Sequence, residues 1–355
     1  MEIIRPTVME INLENFKHNI NEIRKEVNGT KLMPVIKANG YGTHINKCLE
    51  VINEFDIVAV AIVDEAIELR NFGYKGEIFV LNQPSIVETD KIADYNITVG
   101  VSSLDFIRKI NKPTIVHLEI ETGMGRTGIY LKNLENFIQE VKKNGNITVE
   151  GVYSHLSSAD FDEEYTKSQL SKFEEAKKVV EENFEIKYAH ISASNGILNY
   201  KEGLYNLVRP GLIMYGYPSF DGIKMDLKPV ARLKSKITFL KEVDEGTSIS
   251  YSRKYITSKK TKIATVPIGY ADGMRRALTN LGEVVIRRKK APIIGTVCMD
   301  SIMVDVTDIQ EVALEDEVYI WDNDIITLEE LAEKCGTINY EILSTISDRV
   351  PRIFK

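Results

Sequence analysis

Short apolar runs alternate with amphipathic stretches between residue 31 and about residue 217. Eight of the runs predict strands: Lys31–Lys37, Ile57–Ile62, Glu77–Leu81, Ile97–Val101, Thr114–Glu121, Val149–His155, Lys187–Ser192 and Asn206–Tyr215. The intervening stretches predict helices, as in Asp64–Phe72, Leu131–Asn144 and Asp162–Asn183. Repeated strand–helix units imply parallel strands with right-handed crossovers, and eight of them favour a closed α/β barrel, the (β/α)8 TIM-like type, over an open sheet.

After about residue 228 the pattern changes to strand-like runs separated by turn residues: Leu233–Leu240, Lys262–Val266, Glu283–Ile286, Ser301–Val306 and Glu317–Trp321. Only Leu328–Cys335 and Glu341–Ser347 look helical there, so this part predicts a second, mainly antiparallel β domain. Val8–Leu13 is a ninth strand candidate that can pair with the second domain, leaving helix Asn15–Val27 to lead into the barrel. The predicted domains are residues 10–228 for the barrel and residues 229–355, with residues 1–9, for the β domain.

Charge, cysteine spacing and the length of apolar runs argue against several classes of partner and location. The 355 residues carry a formal net charge of −7, which argues against a general nucleic-acid partner. The three cysteines have no zinc or disulfide spacing, as is typical of reduced thiols in the cytosol. No signal peptide precedes the fold, and the longest apolar run, Ile57–Val63, is too short to span a bilayer. We therefore expect a cytoplasmic protein without a membrane partner.

The chemistry of such barrels lies at the C-terminal ends of the strands. The polar residues predicted there are Lys37, the stretch from Glu119 to Arg126, His155, Ser194, and Arg209 with Gly211. An isolated lysine at a strand end usually just leaves the strand for solvent, so Lys37 carries weight only together with its context. His117 and Glu119 lack a further ligand pattern, and no metal site is predicted.

The context is a series of motifs along the whole chain. The run Val35-Ile36-Lys37-Ala38-Asn39-Gly40-Tyr41-Gly42 closely resembles the cofactor-lysine motif of alanine racemases. Further matches to this family follow in the same order: Thr122-Gly123-Met124-Gly125-Arg126-Thr127-Gly128, Ser154-His155, Ser192-Ala193-Ser194-Asn195, Val208-Arg209-Pro210-Gly211, Met214-Tyr215-Gly216, Ile249-Ser250-Tyr251, Ile268-Gly269-Tyr270-Ala271-Asp272-Gly273, Cys298-Met299-Asp300 and Arg349-Val350-Pro351-Arg352. Their joint order and spacing, rather than any single motif, carry the resemblance.

The resemblance implies an isomerase that uses pyridoxal 5′-phosphate, joined as an imine to Lys37. It further implies that Tyr41, Ser194 and the backbone N–H groups of Gly211 and Leu212 hold the phosphate. His155 would lie against the pyridine ring and Arg209 would face the ring nitrogen; the alternative for His155 is a hydrogen-bonded core histidine.

Arg209 is mechanistically informative. Many enzymes that use this cofactor place a carboxylate at the ring nitrogen, which keeps the nitrogen protonated. Arginine can only donate, so the nitrogen stays unprotonated and the ring withdraws fewer electrons. Reprotonation at Cα is then favoured over transamination, which suits a racemase.

Racemisation needs a base on each face of a planar intermediate. Lys37 would serve one face and, by the resemblance, Tyr251 from a second subunit the other, in a head-to-tail homodimer. Arg126, Met299 and Asp300 would bind the substrate carboxylate. The expected activity is interconversion of L- and D-alanine, which supplies D-alanine for cell-wall peptidoglycan.

Three positions depart from the usual family pattern. Glu119 stands where many relatives have a carbamylated lysine that pairs with the arginine equivalent to Arg126, and a glutamate supplies the negative charge directly. Asp348 stands where a tyrosine usually lies near the substrate side chain, and Thr296 where an arginine often lines the access channel. These two specificity candidates leave alanine, serine, and basic or broader sets of amino acids open as substrates.

Two other functions compete with racemisation. A non-catalytic carrier of pyridoxal phosphate resembles only the barrel, whereas here a second domain carries Tyr251 and Met299-Asp300. A decarboxylase on the same two-domain plan is usually longer and places a Cys-Asp pair, whereas here Met299 separates Cys298 from Asp300.

Overall fold

The computed structural model describes residues 4–217 and 224–355. The chain folds as two compact units, one of residues 17–40 and 44–228, the other of residues 1–16, 41–43 and 229–355. It begins with strand β1 (Val8–Ile11) and helix α1 (Leu13–Val27). The short segment 41–43, which follows Lys37 closely in the chain, therefore groups with the later unit.

The first unit contains eight parallel strands within the described residues: β2 (Lys31–Leu32), β3 (Ile57–Val60), β4 (Glu77–Val80), β5 (Thr98–Val101), β6 (Thr114–Glu119), β7 (Ile147–Tyr153), β8 (Tyr188–His190) and β9 (Leu207–Val208). Strands β3 to β8 form one sheet in sequence order, and β2 pairs with β9. Bridges Val35↔Ala59 and Ala193↔Arg209 join this pair to both edges of the sheet. The strands thereby close a TIM-like barrel, which confirms the predicted fold class.

Helices alternate with these strands: α2 (Lys37–Tyr41, a single left-handed turn), α3 (Leu49–Ile52), α4 (Val63–Phe72), α5 (Thr89–Asp94), α6 (Leu104–Lys109), α7 (Leu131–Lys143), α8 (Glu163–Glu181) and α9 (Ser194–Asn199). Helix α7 shows why they form, since its buried residues recur at helical spacing: Leu134, Phe137, Ile138 and Val141. Asp162 caps α8 by accepting a hydrogen bond from the Tyr165 N–H. Short 3-10 turns cover Ile45–Lys47, Ile86–Glu88, Lys201–Gly203 and Leu212–Tyr215.

Several predicted barrel strands are shorter or shifted in the structure. The strand predicted over Lys31–Lys37 is only Lys31–Leu32, followed by a single bridge at Val35. The strand predicted over Asn206–Tyr215 is only Leu207–Val208, because the chain turns at Gly211 and the buried run Leu212–Tyr215 forms a 3-10 helix. The strand predicted to begin at Val149 begins at Ile147, where it pairs with Thr114 of β6. A short apolar run does not by itself distinguish a buried strand from a buried helical turn.

The second unit is mainly antiparallel, as predicted. Its later strands are β10 (Ala231–Lys236), β11 (Phe239–Val243), β12 (Ser248–Ile249), β13 (Tyr255–Ile256), β14 (Thr261–Val266), β15 (Glu283–Ile286), β16 (Lys289–Pro292), β17 (Ile302–Asp305), β18 (Glu317–Trp321) and β19 (Arg352–Phe354). The main sheet has the order β16-β15-β18-β10-β1-β19. Strand β1 pairs antiparallel with β10, which confirms that the N-terminal strand belongs to this unit.

The run predicted as one strand over Leu233–Leu240 is two strands, β10 and β11, which belong to different sheets. Helices α10 (Leu328–Cys335) and α11 (Asn339–Ser344) and 3-10 turns at Tyr251–Arg253, Tyr270–Asp272 and Arg276–Leu278 complete the unit. Across residues 4–217 and 224–355, every helix is too short or too polar to cross a membrane.

Candidate active site

Lys37 follows the strand segment that Val35 joins to β3, and it stands half-buried at the C-terminal end of the barrel. Burial lowers the pKa of its ammonium group, and the positive charges of Arg126 and Arg209 lower it further, while the carboxylate of Glu65 opposes them. A lowered pKa increases the fraction of neutral amine at neutral pH. Lys37 is therefore suited to act as a nucleophile and as a base.

The turn after Lys37 is left-handed. Ala38, Asn39 and Gly40 have φ values of 52°, 53° and 60°, and Tyr41 has a φ of 54°. Left-handed backbone costs roughly 1–2 kcal/mol per residue with a side chain. Glu65 stabilises the turn, since its carboxylate accepts a hydrogen bond of 2.6 Å from the Ala38 N–H.

Glu65 also accepts a 2.7 Å hydrogen bond from the Ala61 N–H, at the end of β3. One carboxylate thus ties the turn after Lys37 to the neighbouring strand. Tyr41, which ends the turn, lies in the other unit, where burial raises the pKa of its phenol and keeps it protonated as a hydrogen-bond donor.

Arg209 lies buried in the barrel interior with several hydrogen-bond partners. Its guanidinium donates to the carbonyl oxygens of Ser154, at 2.6 Å, and Ile191, at 2.9 Å. It also contacts His190 Nδ1 at 2.6 Å and His155 Nδ1 at 3.3 Å. Burial lowers the pKa of Arg209 to about 10, so the group remains cationic at neutral pH.

His155 is neutral in this surrounding. Burial lowers its pKa to about 3, and the charges of Arg209, Arg126 and Lys37 lower it in the same direction. A neutral imidazole next to a cationic guanidinium leaves Arg209 as the main positive charge of the barrel interior. This suits a donor that faces an unprotonated ring nitrogen.

Ser194 and Gly211 are brought together at the barrel end. The Gly211 N–H donates to Ser194 Oγ at 3.1 Å, and the Ser194 side chain is buried. Ser194 opens α9, and Gly211 directly precedes the 3-10 turn Leu212–Tyr215. A hydroxyl and backbone N–H groups at helical N-termini are donors suited to a phosphate.

Glu119 and the loop that follows it carry the negative charges of the barrel end. Glu119 is buried and accepts a 2.7 Å hydrogen bond from Thr127, while burial raises its pKa and Arg126 lowers it. Glu121 accepts a 2.8 Å hydrogen bond from the Gly125 N–H and so shapes the loop that carries Arg126. The exposed Arg126 thus lies on an ordered loop.

The second unit holds Tyr251, which is 69% exposed. The buried hydroxyl of Thr296 donates to the Tyr251 carbonyl oxygen at 2.9 Å, and Ser250 Oγ donates to the Thr296 carbonyl at 2.6 Å. Ser250, Ser252 and Arg253 have φ values of 63°, 61° and 51°, so this turn has positive φ at three non-glycine positions. These reciprocal hydrogen bonds position the Tyr251 backbone.

Met299 and Asp300 stand on a second exposed loop of the same unit. Arg349 donates to Asp300 at 2.8 Å and its Nε lies 3.7 Å from the buried carboxylate of Asp272. Gly269 packs directly under the loop, since a Cβ there would lie 2.3 Å from the Met299 carbonyl oxygen. The loop backbone is therefore fixed while its side chains remain accessible.

Asp348 is exposed in this unit. Burial lowers the pKa of Arg352, and the Asp348 carboxylate opposes that effect. Asp348 therefore has a charge partner within its own unit.

Comparisons with known proteins match the whole chain. Residues 11–219 match the family model of the alanine racemase N-terminal domain, and residues 230–354 that of the C-terminal domain. Alanine racemase 2 of Caldanaerobacter subterraneus subsp. tengcongensis is 40% identical over 370 residues, which cover 99% of this chain and 95% of that protein. The chain belongs to the alanine racemase family.

Solved structures of this family share the fold. An alanine racemase of Clostridium difficile 630 superimposes with a TM-score of 0.94 at 35% identity, covering 100% of this chain and 97% of that one. The alanine racemase of Bacillus anthracis with bound L-Ala-P gives a TM-score of 0.94 at 31% identity, over 100% of this chain and 96% of that one. The family uses pyridoxal phosphate as its cofactor and a small amino acid as its substrate.

The barrel residues fit that cofactor chemically. Lys37 offers an amine with a lowered pKa, Arg209 a buried cationic donor, and Ser194 with Gly211 a set of neutral donors. The Lys37 amine suits the cofactor aldehyde, Arg209 suits the ring nitrogen, and Ser194 with Gly211 suits the phosphate.

Sequence reasoning missed two residues that support this site. Glu65 braces the Lys37 turn, and His190 contacts Arg209. Glu121, which shapes the Arg126 loop, lies in the predicted polar stretch from Glu119 to Arg126. A glutamate near the start of a predicted helix is a weak capping signal for Glu65. Nothing local in the sequence marks His190, since its partners come from distant strands.

Proposed function

We propose that this chain interconverts L- and D-alanine, with Lys37 bound to pyridoxal phosphate and Tyr251 of a partner subunit as the second base. The observation that carries the proposal is Arg209, a buried cation with only donors to offer. When bound, the cofactor supplies an electron sink for a carbanion at the substrate Cα. Because Arg209 donates to the ring nitrogen without protonating it, the cofactor would withdraw fewer electrons from Cα. Return of a proton to Cα is then favoured.

The other residues bind and orient the reactants in this proposal. Ser194 and the N–H groups of Gly211 and Leu212, together with Tyr41, hold the phosphate, and His155 packs against the ring. Lys37 takes or returns a proton at Cα on one face. Arg126, Met299 and Asp300 bind the substrate carboxylate, with Asp300 acting through its backbone because its carboxylate pairs with Arg349.

We further propose a head-to-tail homodimer in which each site takes Lys37 from one chain and Tyr251 from the other. The exposure of Tyr251 (69%), Met299 (51%) and Ile256 (50%) in the second unit supports an interface there. We propose residues 10–228, and 229–355 with residues 1–9, as the two domains; in the structure the compact units group residues 10–16 and 41–43 with the second of them. We place the enzyme in the cytoplasm, where its D-alanine enters peptidoglycan synthesis.

Mixed dimers test the shared site. Lys37→Ala and Tyr251→Phe chains are each expected to be inactive alone, whereas co-expression should restore about a quarter of the wild-type sites. This follows because a mixed dimer contains one site with both residues intact. The quarter applies to the unfractionated mixture, whereas mixed dimers purified through two different tags should have half of the wild-type sites. A mixed dimer as inactive as its parents would exclude the shared site.

The substrate range is tested by a panel of L-Ala, L-Ser, L-Lys and L-Arg, followed by chiral chromatography. We expect alanine to turn over fastest, since Asp348 already has Arg352 as a charge partner. Asp348→Asn should then change the ranking little. Faster turnover of serine or of a basic amino acid, lost in Asp348→Asn, would make Asp348 the specificity determinant. Thr296→Ser tests the second specificity candidate, Thr296, in the same substrate panel.

Because residue 119 is a glutamate, we expect the activity of the enzyme to be independent of carbon dioxide. The wild-type rate should be the same with and without added bicarbonate, because the carboxylate is built into the side chain. Glu119→Gln keeps an acceptor for Thr127 but removes the charge near Arg126, and it should raise KM for alanine by about tenfold. Glu119→Lys is the control, since its rate should rise with bicarbonate. A bicarbonate requirement of the wild type would contradict this role.

A further inference from the structure

Two buried histidines extend inward from Arg209 inside the barrel. His117 on β6 is 1% exposed, and His190 on β8 is fully buried. Arg209 Nη1 lies 2.6 Å from His190 Nδ1, and His190 Nε2 lies 2.9 Å from His117 Nδ1. Three side chains from three strands thus form one continuous hydrogen-bonded chain.

The donors in this chain are fixed by Arg209. A guanidinium can only donate, so His190 Nδ1 must accept. A neutral His190 then carries its proton on Nε2 and donates it to His117 Nδ1. His117 in turn carries its own proton on Nε2, for which the described residues provide no partner.

Both histidines are neutral in this surrounding. Burial lowers the pKa of His117 to about 3, and the charges of Lys187 and Arg209 lower it in the same direction. Burial, Arg209 and His117 also hold the pKa of His190 well below its usual range. A second proton on either ring would place two donors against each other.

Packing fixes the positions of the rings but not their protons. His190 stacks on Tyr153 at 5.1 Å with an interplanar angle of 10°, and Phe79 meets it edge-on at 5.4 Å. Gly151 leaves room for His117, since a Cβ there would lie 2.7 Å from His117 Cγ. Packing alone does not provide a partner for the His190 Nε2 proton, and His117 Nδ1 supplies one.

We propose that His117 is a positioning residue: by accepting the Nε2 proton of His190, it satisfies this buried N–H and strengthens His190 Nδ1 as the acceptor of the Arg209 N–H. Without this acceptor, the His190 Nε2–H is left without a partner and Nδ1 accepts more weakly. The guanidinium is then held less firmly in its orientation toward the reaction centre. The effect on turnover rests on the proposed racemase function, whereas the tautomer itself does not.

Nitrogen NMR of the purified chain tests the tautomer without any substrate. With five histidines in the sequence, ¹⁵N-histidine labelling gives few signals, and His117→Asn and His190→Gln assign two of them. We expect both residues to show a protonated Nε2 and a bare Nδ1, unchanged between about pH 5.5 and 8.5. A protonated Nδ1 on either residue, or titration in this range, would overturn the proposal.

A matched pair of variants tests the consequence. His117→Asn keeps an acceptor near the Nδ1 position, whereas His117→Leu has a similar size and no acceptor. In His117→Leu, kcat should fall about ten- to a hundredfold and transamination should rise relative to racemisation, with KM nearly unchanged. His117→Asn should restore kcat to within a few-fold.

Equal losses in both variants, with wild-type His190 signals in each, would show that His117 only fills space and would overturn the proposal. Should His117→Leu fail to fold, the His117 tautomer of the wild-type chain still decides the question, because a protonated Nδ1 on His117 could not accept from His190. Absence of racemisation by the wild type, with the expected tautomers present, would instead reject the proposed function and leave the hydrogen-bond chain standing.

Discussion

Replacing Lys37 with alanine is expected to reduce racemisation by about 10⁴-fold or more, because the amine serves both as the cofactor attachment point and as one base. The lowered pKa of Lys37 supports both roles, since each requires a neutral amine. The visible absorbance band of the lysine-bound cofactor should disappear from the purified protein. The measurement combines this spectrum with the rate of D-alanine formation from L-alanine.

Lys31→Ala is the matched control, since Lys31 is an exposed lysine on the same strand segment and lies over the Tyr188 ring. Its spectrum and rate should stay at the wild-type level. A Lys37→Ala protein that keeps the lysine-bound spectrum would reject the assignment of Lys37.

The second large effect is expected for Tyr251→Phe, which keeps the ring and removes the proposed proton-transferring hydroxyl. Loss of a general base costs about 10²–10⁴-fold in rate. Since the equilibrium constant fixes the ratio of forward and reverse turnover, net rates do not show which face is affected. Exchange of the Cα proton with deuterated solvent shows which face is affected. In Tyr251→Phe, this exchange should persist when one alanine enantiomer is the starting substrate and should be lost when the other is.

Tyr255→Phe is the control, since Tyr255 lies on β13 of the same unit and has no proposed catalytic role. Thr296→Val is expected to give a smaller loss on the same face as Tyr251→Phe, because it removes the hydrogen bond to the Tyr251 carbonyl. Equal loss of exchange for both enantiomers in Tyr251→Phe would contradict a one-face role for this tyrosine.

The sequence predicted those parts of the fold that have long, regular patterns. Strands β15 and β18 and helix α10 have the predicted bounds, and β1 pairs with the later unit as predicted. The error at Leu212–Tyr215 arose because a buried apolar run suits a strand as well as a helical turn. The left-handed turn after Lys37 opposes the preferences of Ala38 and Tyr41, so local patterns do not predict it.

Those site residues that belong to a family motif could be predicted from the sequence. Lys37, Arg126, His155 and Arg209 lie close enough in one unit to influence one another's charges, as their order at the strand ends implied. Glu65 and His190 were missed because they act through partners that only the closed barrel brings near.

Thr296 shows a different limit of sequence reasoning. As a departure from the family pattern it suggested a change in the access channel, and that role stays a prediction. In the structure its buried hydroxyl also binds the Tyr251 carbonyl, a contact that a residue type and its position in a motif do not reveal.

The central claim is that this chain moves the Cα proton of alanine in both stereochemical senses. Its most direct test is incubation of the wild-type chain and cofactor with L-alanine in deuterated water, followed by chiral chromatography and mass spectrometry. We predict that L- and D-alanine reach equal amounts and that D-alanine carries deuterium at Cα. Absence of D-alanine from a cofactor-loaded protein would contradict the account.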